Sequence, residues 1–264
     1  FSDPWIKGTD RISLSTSLYN TTYEDDDSVD AYYVEKLGFK LTMGKALTDK
    51  IRLRIGPKFE HITEMDEDEN PTDKYNTLSL LPAIIYDTRN NVYTATSGEY
   101  ASLEVEVGKI LDRNNYYTTE LELRKYHKGF FEKNTFAYRT VFGVGSDELK
   151  DSQKFRVGGG STLRGYDSGE YKGNYEFYAN LENRTRLNDN FEVVGFMDFG
   201  RAWDKTSTTT STNNLEIGSD IKTTYGIGLR IQTPIGPLRF DYGWPLGDSE
   251  NTEGQFYFNI GQLF

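Results

Sequence analysis

The stretch with the clearest chemical signature runs from Phe155 to Tyr166 and contains three consecutive glycines followed by Arg164. Successive glycines let a backbone fold tightly and approach other groups closely. The spacing from Gly160 to Gly165 is that of a phosphate-binding loop, but Tyr166 stands where that motif requires lysine, so a nucleotide site is not indicated. An ordinary surface loop and a loop folded back onto other residues both fit this composition.

No other set of residues indicates catalysis or a bound cofactor. The histidines, His61 and His127, do not have a metal-ligand spacing, and the chain contains no cysteine. Asp66, Asp68 and Asn70 resemble the start of a calcium loop, but a proline replaces the glycine that such a loop needs. We therefore expect no enzyme activity, no cofactor and no metal site, and we expect the acidic segments to be solvated surface.

Composition and charge narrow the class of protein. The 264 residues carry a formal net charge of -11, which argues against nucleic acid as a partner. No uninterrupted apolar run approaches the roughly 20 residues that a membrane-spanning helix needs, so a helical membrane protein is excluded. Strands that alternate apolar and polar residues have low mean hydropathy even when they cross a bilayer, so an outer-membrane β-protein stays possible. The chain opens at Phe1 without a signal sequence, as expected of a mature or trimmed segment.

Alternation of apolar and polar residues predicts twelve β-strands, and no segment has convincing helical periodicity. The predicted strands cover residues 12–19, 37–43, 51–55, 77–87, 101–107, 120–124, 135–145, 175–182, 191–199, 227–232, 238–242 and 255–260. Acidic loops are predicted at 24–27 and 65–76, a Thr-rich loop ends near 220, and the glycine stretch lies in a loop at about 146–174. Short turns and long loops alternate, which predicts an up-and-down meander with its short turns and both chain ends at one rim.

The distribution of charged residues indicates which face of the strands meets lipid and which meets water. The apolar positions of these strands include no Asp, Glu, Lys or Arg, and Arg or Lys facing lipid near mid-membrane would cost about 2–4 kcal/mol each. Twelve strands also enclose an interior too wide for aliphatic side chains to fill. We therefore predict an all-β, antiparallel up-and-down transmembrane β-barrel that forms one domain over residues 1–264. A soluble sandwich or a lipocalin-like barrel is the alternative.

Four stretches resemble motifs of one family, the BamA superfamily of outer-membrane assembly and secretion barrels, or bacterial surface antigens. They are a loop ending in Arg-Gly-Tyr (158–166), a Phe-x-Asp-x-Gly strand (196–203), the close of an earlier barrel strand (1–5) and a terminal strand (258–264). The loop residues that carry the resemblance are Gly158, Gly159, Gly160, Leu163, Arg164, Gly165 and Tyr166. Barrels of this family usually have sixteen strands. Either four strands and the periplasmic POTRA repeats lie outside this chain, which contains no POTRA repeat, or the barrel closes with twelve.

The resemblance implies that the loop folds into the barrel lumen and that Arg164 meets acidic residues on the inner wall. Alternation independently places Asp198 and Glu182 on the polar, inward face of neighbouring strands. A solvated Arg164, with Asp198 merely lining water, is the alternative. The resemblance also marks Phe256, Phe258, Ile260 and Phe264 as a terminal outer-membrane sorting signal.

The resemblance further implies an outer-membrane location with a periplasmic C-terminus, in a Gram-negative type of bacterium. The implied function is assistance in folding and inserting β-barrel proteins. The implied partners are outer-membrane lipid, nascent outer-membrane proteins, and periplasmic accessory subunits bound through upstream POTRA repeats. A secretion barrel that exports an attached or partner polypeptide, of the two-partner or patatin type, is the first alternative, and a simple porin is the second.

Overall fold

The computed structural model of the chain describes residues 2–3, 6, 8, 11–27, 30–204, 221–234, 236–247 and 253–264. The family-like stretch at residues 1–5 lies outside this part except for Ser2 and Asp3, and so does the Thr-rich loop from 205 to 220. Among the described residues, no helix is long and apolar enough to span a membrane.

Within the described residues the chain forms seventeen β-strands and one short 3-10 turn at Asp151–Gln153, and its paired strands run antiparallel. The strands are β1 (Ser2–Asp3), β2 (Ile12–Asp27), β3 (Asp30–Ala46), β4 (Ile51–Ile55), β5 (Pro57–Met65), β6 (Pro71–Leu80), β7 (Ala83–Asp87), β8 (Gly98–Ile110), β9 (Asn115–Lys128), β10 (Asn134–Gly145), β11 (Phe155–Val157), β12 (Tyr171–Gly173), β13 (Tyr175–Arg186), β14 (Phe191–Trp203), β15 (Lys222–Ile231), β16 (Leu238–Leu246) and β17 (Gln255–Ile260). The prediction of an all-β, antiparallel chain is confirmed.

Each of the twelve predicted strands lies on the observed sheet, but the chain path breaks at two places. The third predicted strand is β4, and β5 continues it after a break at Gly56, where a Cβ atom would overlap the carbonyl oxygen of Leu41. The fourth divides into β6 and β7 at Leu81 and Pro82. Proline cannot donate a hydrogen bond to a β-ladder, although the carbonyl of Pro82 still accepts one from the amide of Val105 at 3.0 Å.

The acidic segments are more regular than predicted, so both acidic loops predicted from sequence were too long. Strand β2 continues through the acidic residues 24–27 to pair Asp27 with Asp30 of β3. Strand β6 begins at Pro71, which reduces the loop predicted at 65–76 to residues 66–70. Backbone pairing satisfies the amide and carbonyl groups whatever the side chains are, and therefore a strand can extend past the end of its apolar alternation.

The chain folds into two compact units, of which the first contains Phe1–Asp87, Ala101–Leu121 and Val144–Lys154. Its strands β1, β2 and β3 follow one another, β3 pairs with β4 and β5, and these pair with β7 and β6. Its buried face carries charge, because Lys58 Nζ lies 3.1 Å from Glu60 and 2.9 Å from Glu106. The hydroxyl groups of Tyr19 and Tyr116 donate to these two carboxylates, each at 2.7 Å.

The second unit contains Thr88–Tyr100, Glu122–Gly143 and Phe155–Phe264. Strands β13 to β17 pair consecutively in it, and β11 pairs with β12 in a separate small hairpin. Apolar side chains such as Leu181, Met197 and Ile227 are exposed. Glu182 and Asp198, which directly follow Leu181 and Met197 in the sequence, are buried. Each unit thus hides polar side chains and exposes apolar ones, as strands do when lipid covers one face.

Candidate functional site: a buried arginine in the glycine-rich loop

The glycine-rich loop is a compact structure built on the β11–β12 hairpin. Its φ angles are 142° at Gly158, 86° at Gly159 and 108° at Gly165, a region that favours glycine. A Cβ atom at Gly158 would overlap the carbonyl oxygen of Asp167, so this position has no room for a side chain. The amide of Gly159 donates to the carbonyl of Tyr166 at 3.0 Å and closes the loop on itself.

Apolar side chains of the loop anchor it within the second unit. Leu163 and Tyr166 are fully buried, and they form one cluster with Val141, Val157, Tyr178 and Ala202. The Tyr166 ring also meets the Tyr171 ring edge-on, with 5.5 Å between the ring centroids. Burying a large apolar side chain is worth about 1.5–3 kcal/mol, so Leu163 and Tyr166 alone strongly favour the docked loop.

Arg164 points from the loop into the buried polar face of the sheet. Its Nε and Nη2 atoms donate to the two carboxylate oxygens of Asp198 at 2.7 and 2.8 Å, and its backbone amide donates to Oδ2 at 3.1 Å. Its Nη1 atom donates to Glu182 at 2.7 Å. All three side chains are fully buried. The structure therefore brings Arg164 together with both carboxylates that the sequence placed on this face.

Neighbouring charges extend this contact into a larger cluster, which we call the arginine network. Asp241 lies 3.6 Å from Arg164, 2.6 Å from Arg230 and 3.0 Å from Arg239, and Arg184 lies 2.7 Å from Glu182. The members are Arg164, Arg184, Arg230, Arg239, Glu182, Asp198 and Asp241, so four guanidinium groups face three carboxylates. Burial disfavours the charged guanidinium, yet the attraction of Asp198 and Glu182 outweighs it and raises the pKa of Arg164 above its ordinary value.

Two uncharged side chains complete the surroundings of Arg164. Its guanidinium carbon lies 3.4 Å from the centroid of the Phe196 ring, which is cation–π geometry. Asn180 donates from Nδ2 to Asp198 at 2.9 Å and to the carbonyl of Thr162 at 2.7 Å. The sheet thus holds both the side chain of Arg164 and the backbone beside it.

The terminal strand also holds the loop. The hydroxyl of Tyr257 in β17 donates to the carbonyl of Tyr166 at 2.7 Å and accepts from the amide of Gly165 at 2.8 Å. From β16, Arg239 donates to the carbonyl of Gly160 at 2.9 Å. The loop is therefore hydrogen-bonded to the last two strands as well as to β13 and β14.

The four residues of the predicted terminal sorting signal do not share one environment. Phe256, Phe258 and Ile260 are 61%, 53% and 61% exposed on the outer face of β17. Phe264 lies beyond the end of the strand and is buried, and its carbonyl accepts a hydrogen bond from Arg184 of the arginine network at 3.2 Å.

The first part of the long loop is held separately, in the first unit. The carbonyl of Ser152 accepts hydrogen bonds from the Tyr23 hydroxyl at 3.0 Å and from Lys36 Nζ at 2.5 Å. The Ser152 hydroxyl lies 2.5 Å from the hydroxyl of Tyr75. This segment therefore has a polar attachment of its own.

The arrangement is suited to holding a loop, and its chemistry is charge pairing. Each carboxylate of the arginine network is paired with at least one guanidinium group. Among the described residues, no group of three or more His, Asp or Glu side chains could hold a metal ion. Asp66 instead accepts hydrogen bonds from the amides of Asp68 and Asn70 at 3.1 and 2.8 Å, which closes a tight turn.

Several contributors to this site were not identified from the sequence. Asp241 and Arg239 lie on the same face as Asp198, but their strand, β16, does not neighbour β14 in the sheet. Phe196 entered the sequence analysis as the first residue of the Phe-x-Asp-x-Gly motif and Tyr257 as a member of the alternating pattern, and neither was assigned to the surroundings of Arg164. An aromatic residue on an otherwise polar face was the available signal for both.

Comparison with known proteins identifies the class. A family model described as the Omp85 superfamily domain matches residues 1–264, so the chain belongs to the Omp85 superfamily and is an outer-membrane β-barrel protein. The predicted resemblance and location are confirmed.

Two curated relatives match nearly the whole chain. It is 28% identical over 291 residues to the outer membrane protein assembly factor BamA of Nitratidesulfovibrio vulgaris, which covers 100% of this chain and 36% of that protein. It is 21% identical over 282 residues to the chloroplastic outer envelope protein 80 of Arabidopsis thaliana, which covers 99% of this chain and 38% of that protein. The chain thus spans little more than a third of either relative.

Solved structures share the fold. The crystal structure of BamA from Haemophilus ducreyi lacking POTRA domains 1–3 matches with a TM-score of 0.77 and 20% identity, covering 98% of this chain and 60% of that one. CdiB from Acinetobacter baumannii matches with a TM-score of 0.61 and 14% identity, covering 95% of this chain and 47% of that one.

Proposed function

We propose that this protein is an outer-membrane assembly factor that assists the folding and insertion of β-barrel proteins. The proposal rests on the short hydrogen-bonded ladder of the terminal strand. In the described residues β17 pairs with β16 over six residues, whereas β13 and β14 pair over twelve. Similarity to BamA over the whole chain supports this reading.

A short ladder makes a terminal strand easy to displace, and a strand whose outer side is opened offers unpaired backbone donors and acceptors to any extended segment that reaches it. A strand of a nascent β-barrel protein would gain main-chain hydrogen bonds by adding to β17, and its alternating side chains would continue the two faces of the sheet. The outer face of β17 presents Phe256, Phe258 and Ile260, which match the lipid-facing residues of such a client. The process needs no covalent step and no cofactor.

The glycine-rich loop would hold strand β17 in place. Tyr257, one of the inward side chains of β17, forms hydrogen bonds with the loop backbone. Arg164 holds the same loop to β13 and β14 through its ion pairs. A short strand held on one side by a six-residue ladder thereby gains a second attachment through its inner face. We propose that the arginine network acts as a structural clamp for the edge, and that its residues have no catalytic role.

Crosslinking tests the proposal directly, because residues 1–264 contain no cysteine. Phe258→Cys places a thiol on the outer face of β17, and Phe240→Cys places one at its register partner on β16, which has a strand on either side. We expect a nascent β-barrel protein carrying a cysteine in its first or last strand to crosslink to the Phe258→Cys variant only. Equal crosslinking at both positions, or none in a membrane where client barrels are folding, would contradict the proposal.

Secretion of a polypeptide is the second candidate, because the fold shared with CdiB does not distinguish the two roles. The two candidates differ in the fate of the client. An assembly factor increases the folded, heat-modifiable fraction of barrel proteins in proteoliposomes. A secretion barrel moves a polypeptide across the bilayer and leaves that fraction unchanged. We expect assembly, with periplasmic accessory subunits acting through POTRA repeats as in the family resemblance.

A further inference from the structure

The two interrupted strands create a groove on the outer face of the first unit. Strand β4 ends at Ile55 and β7 begins at Ala83, and both breaks fall at the same level because the amide of Leu81 bonds to the carbonyl of Gly56 at 3.0 Å. The resulting groove has a volume of about 470 Å³.

Apolar side chains dominate the walls of this groove. Its main lining residues are Met43, Leu53, Ile55, Ile84, Leu103 and Val105. All except Val105 are exposed, whereas Val105 is half-buried between the more exposed Leu103 and Val107 of the same face. The groove therefore opens on the face that meets the hydrocarbon of the membrane.

Two charged residues line the groove, and only Lys45 is available to a ligand. Arg54 turns to the opposite, polar face of the sheet, where it pairs with Glu104. Lys45 is exposed and follows Met43 on the outer face of β3, level with Leu53 of β4 and Ile84 of β7. Lys45 precedes Leu47, the next residue on the same face, by about 7 Å along the strand, and Leu47 adjoins the short turn. A lysine side chain this close to the end of a strand reaches the headgroup region of the membrane.

We propose that this groove binds one anionic phospholipid, with an acyl chain along the apolar walls and the phosphate on the Lys45 ammonium group. A hydrocarbon groove with one cation at its headgroup end complements a lipid of this charge. A phosphate beside an exposed lysine is favoured at the membrane surface by about 1 kcal/mol, which corresponds to about fivefold in affinity.

The test uses the delipidated protein in a detergent that preserves it for native mass spectrometry, titrated with phosphatidylglycerol and, separately, with phosphatidylcholine. Lys45→Gln removes the charge and Val105→Trp fills the groove. Lys109→Gln is the matched control, because Lys109 is also exposed on the outer face of the first unit but lies at the opposite end of β8. Unheated electrophoretic mobility shows that each variant is folded.

We expect the wild-type protein to retain one phosphatidylglycerol more tightly than further lipids. Lys45→Gln should weaken phosphatidylglycerol binding about fivefold and leave phosphatidylcholine binding unchanged. Val105→Trp should weaken both, and Lys109→Gln neither. Equal effects of Lys45→Gln and Lys109→Gln would show unspecific surface lipid and overturn the proposal, as would an unaltered first binding step in both groove variants. A dimer that forms without lipid and is lost in Val105→Trp would assign the groove to a second copy instead.

Discussion

Replacing Asp198 with alanine is expected to release the glycine-rich loop from the sheet. Asp198 accepts three hydrogen bonds from Arg164 and one from Asn180, and all of them lie in a fully buried site. The substitution leaves the Arg164 guanidinium with Glu182 as its principal partner. It also increases the excess of positive charge in the arginine network from one to two.

The size of the effect follows from the cost of an unpaired buried charge. Removing one partner of a buried ion pair typically destabilises a structure by about 3–5 kcal/mol. Since Glu182 still neutralises part of the guanidinium charge, we expect a value near the lower end of that range, about 3 kcal/mol. This corresponds to a decrease of roughly 100-fold in the equilibrium constant for loop docking.

Hydrogen exchange of the segment from Phe155 to Tyr166, measured in a lipid nanodisc, reports the equilibrium constant for loop docking. Protection of these amides should fall by about two orders of magnitude in Asp198→Ala. The control is Asp49→Ala, which removes a pair with Arg11 whose side chains are 87% and 49% exposed. A surface pair contributes less than about 1 kcal/mol, so loop protection should not change in the control.

A paired substitution separates lost charge pairing from lost packing. Arg164→Met together with Asp198→Leu removes one charge of each sign, so the excess of positive charge returns to one. We expect the loop of this double variant to be better protected than that of Asp198→Ala, because no guanidinium is left without its main partner. Protection in Asp198→Ala within threefold of the wild-type value would refute the assigned role of the ion pair.

Three further substitutions test other parts of the structure. Gly158→Ala should loosen the loop, because its Cβ would overlap the carbonyl of Asp167, and faster protease cleavage between β11 and β12 would show this. Tyr75→Phe loses the contact with the Ser152 hydroxyl and should weaken the attachment of residues 146–154 by about 1 kcal/mol, measured by hydrogen exchange of that segment. Leu181→Arg should destabilise the folded protein in lipid by about 2–4 kcal/mol although its side chain is exposed, and an unchanged urea midpoint in liposomes would contradict a lipid-facing position.

Local alternation was sufficient to predict much of the site. A strand has a period of two, so counting residues placed Asp198 and Glu182 on one face without knowledge of the register. The observed register pairs Asn180 with Asp198 and Glu182 with Phe196, which makes the two carboxylates diagonal neighbours that one guanidinium can bridge. The partnership with Arg164 came from family resemblance, because loop geometry cannot be counted in this way.

Contacts between distant strands were beyond prediction. Asp241 reaches Arg164 although its strand does not pair with β13 or β14, and Tyr257 reaches the loop from the last strand of the sheet. The burial of Phe264 and its contact with Arg184 are of the same kind, since the sequence marked Phe264 only as part of the terminal motif. Each of these contacts depends on how several strands combine.

The sequence by itself determined that the chain is all-β, which residues of each strand share a face, and which of those faces meets lipid. These properties follow from side-chain periodicity and charge, which are local. The tertiary structure decided where the strands break, how far the acidic segments continue as strands, and which of many inward charges meet Arg164. The physical reason is that register and curvature depend on backbone pairing across the sheet, and a pattern read along one strand carries no record of its neighbours.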